Sequence, residues 1–212
     1  RLLQSQINPH FLHNTLNSIK WMATLQGADG IRAMISSLGR LLRAVMGDVN
    51  GKITIREELA LLDDYLHIQK IRYRGKIGFQ QMIETPALLD CLIPKFTLQP
   101  LVENAVFHGI EPKDGSGEVV LSINARQQEL VISVWDDGVG ISAEKLAALL
   151  GKDQTSGGKT RDGIGLPNIN DRIQLIYGGS YGLEINSTEG EYTKVVIRLP
   201  MEVKPDVESN DC

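Results

Sequence analysis

ELVISVWDDGVGI, residues 129–141, is the stretch that decides the fold. Its first eight residues are rich in Val and Ile and read as a strand; with EVVLSINA, 118–125, they make a hairpin of two strands. The strand ends in a carboxylate, Asp136, and Gly138 and Gly140 follow at alternate positions. Glycine there permits tight turns and close backbone approach to a ligand. An aspartate so placed can accept a hydrogen bond from an exocyclic amine such as that of adenine. An Asp-Gly turn between elements is commonplace on its own, so the reading depends on what accompanies it.

Two further motifs accompany it. IPKFTLQPLVENAVFHGI, 93–110, reads as a helix starting near Pro94, with polar Glu103, Asn104 and His108 on an otherwise apolar surface. Asn104 and His108 are four apart and share a face. A buried Asn needs partners: a Mg²⁺ with its waters and a triphosphate would supply them, and so would a neighbouring loop. SGGKTRDGIGLPNI, 156–169, is a glycine-rich segment opening onto a helix that runs to Gly178. Backbone N–H groups and the positive end of that helix suit phosphate oxygens, and Lys159 and Arg161 add positive charge. A flexible surface loop is the alternative. The segment is neither a GxxxxGK[ST] phosphate loop nor part of a strand–GxGxxG–helix unit.

Outward from these motifs, IGFQQMIE (77–84), YGLEINS (181–187) and YTKVVIRLP (192–200) read as strands. The pattern is α+β, a sheet covered by helices on one face. The first 75 residues are helical. Ile31, Met34, Ile35, Leu38, Leu41, Leu42, Val45 and Met46 form a strong amphipathic stripe, set off by QGADG (26–30) from a looser one through Phe11 and Trp21. After GDVNG (47–51), Thr54 and Glu57 have capping-box spacing and open a third helix to about Arg74. A two-helix hairpin cannot bury both of its faces, so a homodimeric four-helix bundle is expected; packing only on its own chain is the other solution. The expected division is 1–75 for the dimerising helices, 76–202 for the sheet domain, and a disordered tail at 203–212.

The 212 residues, 42% hydrophobic with net charge −4, describe an ordinary globular chain. No basic patch stands out, which argues against a nucleic-acid partner. Cys91 and Cys212 form no disulfide framework and no metal spacing, and fit a reducing cytosol. No apolar run is long enough to span a bilayer. With no initiator Met and no signal peptide, the chain reads as a piece of a longer protein whose upstream part carries any membrane segment.

Taken in order, QINPHFLHNTLNSI, LQPLVENAVFHGI, DDGVGI, GIGLPNINDRI and TKVVIRLP resemble the GHKL ATP-binding fold, shared by gyrase, Hsp90, histidine kinases and MutL. More narrowly, the chain resembles the LytS/YesM-type sensor histidine kinases of bacterial two-component systems, from about residue 2 to residue 200. The resemblance implies an N-terminal helical hairpin forming a dimeric four-helix bundle, then an α/β-sandwich (Bergerat) ATP-binding domain. It implies His10 as phosphoacceptor, Asn104 as Mg²⁺ ligand, and Glu103 orienting the γ-phosphate or activating the reaction. Asp136 would read the adenine amine, with Gly138 and Gly140 lining the base pocket and Thr193 supporting it through water. Gly163, Gly165 and Leu166 would present backbone to phosphate under a mobile lid of roughly 142–165. ATP, Mg²⁺ and a response regulator follow as cofactors and partner, and the cytoplasmic portion of a bacterial membrane protein as location.

The chemistry suits the residues. An imidazole is largely unprotonated at pH 7 and nucleophilic in that form, and phosphoryl transfer needs mainly positioning and charge neutralisation. Asn14, one turn after His10, matches the position from which such kinases hold a water for regulator dephosphorylation. Two positions depart from the pattern: Phe11 stands where many histidine kinases have an acidic residue, and His13 where an aromatic is frequent. Zinc binding by His10 and His13 lacks a third ligand. The competing functions are a GHKL ATPase clamp of the gyrase or MutL type and a non-catalytic dimeric scaffold with a vestigial nucleotide site.

Overall fold

A computed structural model describes residues 9–48, 51–150 and 165–203. Two helices, α1 (Pro9–Leu25) and α2 (Asp29–Met46), form a hairpin about Gly27, whose φ of 65° lies in the left-handed region. A short strand β1 (Lys52–Thr54) leads directly into α3 (Ile55–Arg72). The expected capping box is present: the Glu57 N–H donates to Thr54 Oγ1 at 3.2 Å and the Thr54 N–H to Glu57 Oε2 at 2.8 Å.

Five strands form the main sheet: β2 (Ile77–Ile83), β4 (Gly117–Arg126), β5 (Glu129–Asp136), β7 (Tyr192–Pro200) and β6 (Gly182–Thr188), in that spatial order. β2 runs parallel to β4 and every other pairing is antiparallel. β1 pairs separately with β3 (Leu92–Pro94). Period-two alternation fixes the inner face: Val119, Leu121 and Ile123 on β4, Leu130, Ile132 and Val134 on β5, and Val195, Ile197 and Leu199 on β7 are all buried. Each fully buried Ile or Leu of these rows contributes about 1.5–3 kcal/mol. Covering them are α3, α4 (Leu98–Asn104) and α6 (Gly165–Tyr177).

Several elements differ from the sequence reading. The helix expected from Pro94 starts at Leu98, because Pro94 belongs to β3 and Phe96 takes a left-handed φ of 58°. It then changes at Asn104 into a π-helical turn, Ala105–Ile110, closed by the Glu111 N–H donating to Val106 O at 2.8 Å. A helix α5 (Ala143–Leu150) occupies the start of the expected lid; 151–164 lie outside the described residues, as does most of the expected tail. The boundary expected at residue 75 follows α3, yet Leu59, Leu62 and Leu66 of α3 share one core with the sheet.

Candidate nucleotide site

Asp136 is the last inward position of β5, after Leu130, Ile132 and Val134, so the strand's alternation drives a carboxylate into the core side of the sheet. It is 3% exposed. Burial pushes its carboxyl up to about 7, against the opposing hydrogen bond that Oδ1 accepts from the Gly138 N–H at 3.0 Å. Its neighbour Asp137 is engaged on both oxygens, by Lys113 Nζ at 2.8 Å and the Glu118 N–H at 2.7 Å. One aspartate holds the loop. The other keeps accepting capacity in a dry place.

Glycine makes room around that carboxylate. A Cβ on Gly109, in the π turn, would lie 2.3 Å from Asp136 Oδ1, and one on Gly138 would lie 2.4 Å from the Gly109 backbone. The two segments are joined by the Val139 N–H donating to Gly109 O at 3.0 Å. Gly140, at φ 66°, lies against the β6–β7 turn, where a Cβ would meet Thr188 O at 2.1 Å. Thr193 stands directly opposite Asp136 across the β5–β7 ladder and lies 3.0 Å, Oγ1 to Oγ, from Ser187. Ser187 in turn accepts the Ile141 N–H at 2.8 Å, so the loop after Asp136 is pinned on both sides.

Asn104 is half-buried on α4. Its Nδ2 donates to Pro100 O at 2.6 Å, leaving the amide oxygen as a hard ligand atom. A Cβ on Gly165, the first residue of α6, would lie 3.0 Å from Asn104 Nδ2, so the amide and the start of α6 are brought together. Leu166 is buried beneath that start. Glu103 accepts Gln99 Nε2 at 2.7 Å, and burial raises its carboxyl above the usual range. His108 stands exposed on the π turn. Lys159, Arg161 and Gly163 lie outside the described residues. Among the described residues no group of three His, Cys, Asp or Glu side chains is arranged to hold a metal. One amide oxygen beside a helix N-terminus suits Mg²⁺, which retains waters and takes its other ligands from phosphates.

The sequence reading missed Gly109. It lies inside the VENAVFHGI motif, and its role depends on contact with a carboxylate on another element. His10 and Asn14 are on α1, a different element, which packs on α2. His10 is exposed, and the Asn14 amide lies against its ring, Nδ2 3.3 Å from Nδ1 and 3.4 Å from Nε2.

A buried strand-end carboxylate cradled by glycine, with an amide facing a glycine-started helix, is the nucleotide-site arrangement expected of this ATPase class. The chain belongs to the Histidine kinase-, DNA gyrase B-, and HSP90-like ATPase family, whose profile matches residues 94–203, and residues 1–77 match a Histidine kinase profile. The resemblance read from the sequence is borne out. Among its relatives are the sensor histidine kinase YesM of Bacillus subtilis (38% identical; 94% of this chain, 33% of the relative) and the sensor histidine kinase YpdA of Escherichia coli (36%; 97% and 34%). The sensor protein LytS of Streptococcus agalactiae is 30% identical over 99% of this chain and 35% of its own length. The chain thus spans about a third of the length of these relatives. A catalytic domain of histidine kinase ThkA shares the fold, with TM-score 0.51 and 18% identity over 72% of this chain and 97% of that one.

Proposed function

We propose that the chain is the kinase portion of a sensor histidine kinase: ATP phosphorylates His10, and the phosphoryl group passes to an aspartate of a response regulator. The observation that carries this reading is the pairing of two features on one chain. One is the dry Asp136 carboxylate packed on Gly109 of the π turn that follows Asn104, with Asn104 itself against the start of α6; the other is an exposed imidazole on a helical hairpin that matches a histidine kinase profile. That profile favours a kinase over an ATPase clamp. A dry carboxylate that glycines let the π turn and the following loop approach closely favours a working site over a vestigial one.

Asp136 accepts the adenine amine, Gly138 and Gly140 line the base, and Thr193 supports it through a water. Asn104 would hold Mg²⁺, which would supply charge neutralisation at the phosphates; Gly165 and Leu166 present the helix start, and Gly163, Lys159, Arg161 and His108 are assigned to the nucleotide with them. A ring nitrogen of His10 attacks the γ-phosphorus, the bond to the bridging oxygen breaks, and ADP leaves. Glu103 orients the γ-phosphate or takes the imidazole proton, a role its raised affinity for protons suits. Asn14, against the ring of His10, positions water in the reverse reaction.

The hairpin is also the dimer interface in this reading. Phe11, Trp21, Leu25 and Ile31 are each more than half exposed on α1 and α2, an apolar surface that a second copy would cover in a four-helix bundle. No helix among the described residues is long and apolar enough to cross a membrane. In this reading the chain is the cytoplasmic portion of a membrane-anchored sensor. Incubation with γ-labelled ATP tests the assignment. Wild type acquires acid-labile, base-stable label, and His10→Ala takes up none while still binding nucleotide. Full labelling of His10→Ala would refute it.

A further inference from the structure

Residues 95–98 carry none of the site residues named above, yet four helices meet on them. From α3, the buried Glu58 accepts the Phe96 N–H at 2.9 Å and the Leu98 N–H at 3.0 Å. From α6, Arg172 donates to Lys95 O at 2.8 Å, to Phe96 O at 3.0 Å and to Thr97 Oγ1 at 3.2 Å. The fully buried Thr97 closes the loop by donating to Pro94 O at 2.5 Å. These bonds hold Phe96 at its left-handed φ of 58°, a conformation a non-glycine residue keeps only when its surroundings impose it. Leu98 then begins α4.

With its backbone clamped on this side, Lys95 extends its side chain the other way. Nζ donates to Ala44 O at 2.8 Å and Asp48 O at 3.2 Å. Ala44 lies in the last turn of α2, where carbonyls have no intrahelical donor and a cation is favoured by the helix dipole. Lys95 therefore caps the helical hairpin from a loop that α4 and α6 share. Those two helices are the ones that bring Asn104 and Gly165 together.

We infer that Lys95 is a positioning residue for phosphoryl transfer: it ties the end of α2 to the two helices flanking the nucleotide site, so that occupation of that site is felt at the histidine hairpin. The coupling runs through packed, hydrogen-bonded elements. The loop, bonded to both Glu58 and Arg172, has no slack in which to absorb a movement of α6. The inference rests on the kinase reading, and the test separates the two.

Hydrogen exchange is measured on the full chain with and without ADP, together with nucleotide affinity and the autophosphorylation rate at saturating ATP. In wild type, ADP is expected to slow exchange both at 98–110 and at 40–48. Lys95→Met keeps the stem and removes the donor: the response at 40–48 is lost and that at 98–110 retained. The rate at saturating ATP falls about tenfold, the scale of a misplaced reactant, while nucleotide affinity stays within about twofold. Lys95→Arg, which keeps a cationic donor, restores both readouts. The inference is overturned if wild type shows no response at 40–48, if Lys95→Met keeps that response, or if the variant loses nucleotide binding along with rate. If the exchange pattern is as expected but wild type takes up no phosphate, the kinase reading falls and the coupling stands.

Discussion

Replacing Asp136 by Asn should stabilise the empty protein and weaken nucleotide binding at the same time. The carboxyl is raised from 3.8 to about 7 by burial, so the folded state holds its proton where the unfolded chain has already lost it. The favourable contribution of that proton is complete below pH 3.8 and is lost as pH rises to about 7; above that the folded state carries a buried charge. At 1.36 kcal/mol per pH unit, a displacement of about three units costs the wild type up to about 4 kcal/mol at pH 8. Asn does not titrate, and its amide oxygen still accepts the Gly138 N–H. The variant's melting temperature should therefore gain on wild type from pH 4 to pH 8. ATP affinity moves the other way, because the Asn amide nitrogen faces another donor. One unpaired buried donor costs about 1–3 kcal/mol, roughly one to two decades in Kd. Wild-type affinity should also fall as pH drops below about 7, since the amine needs the ionised acceptor, and the variant should lack that dependence. Thermal melts across pH and nucleotide titration by calorimetry decide the matter. A melting difference that is flat with pH, with ATP bound as tightly as by wild type, would refute both the buried charge and the adenine contact.

Where local chemistry carries the structure, the sequence was readable. The alternation of β4, β5 and β7 follows from residues two apart, and the capping box at Thr54 and Glu57 from residues three apart. Asp136 and Asn104 announce themselves as polar residues closing or interrupting apolar runs. What escaped depends on partners far along the chain. Gly109 matters through Asp136, 27 residues later by the numbering, and nothing in HGI signals that meeting. PKFT continues a helical pattern in the sequence, and nothing local shows that Glu58, 40 residues before Leu98, and Arg172, 76 after Phe96, hold Phe96 left-handed. β1 and β3, three residues each, are too short to display a period at all. The same division separates what the motifs say of the nucleotide site, which is local, from how the hairpin is joined to it, which is not.

Gly109→Ala places a methyl 2.3 Å from Asp136 Oδ1; overpacking of about 1–3 kcal/mol should appear as a lower melting temperature and weaker ATP binding together. Ile197→Ala, in the fully buried β7 row, should cost about 2–5 kcal/mol in denaturant titration without altering which residue is phosphorylated. Trp21→Glu, on the 64%-exposed ring of α1, should turn a sedimenting dimer into a monomer; an unchanged sedimentation coefficient would count against the hairpin as interface. Asn14→Ala should separate the forward reaction from the reverse one. The amide lies within 3.4 Å of both ring nitrogens of His10, one helical turn away, so on the proposed reading a water it held would sit where a docked regulator's phosphoryl group would meet the histidine. Losing that position should slow kinase-dependent loss of phosphate from the regulator by about tenfold or more and leave autophosphorylation near wild type. Regulator dephosphorylation at the wild-type rate would make Asn14 ordinary helix surface, and an equal loss of autophosphorylation would make it a support for the imidazole instead.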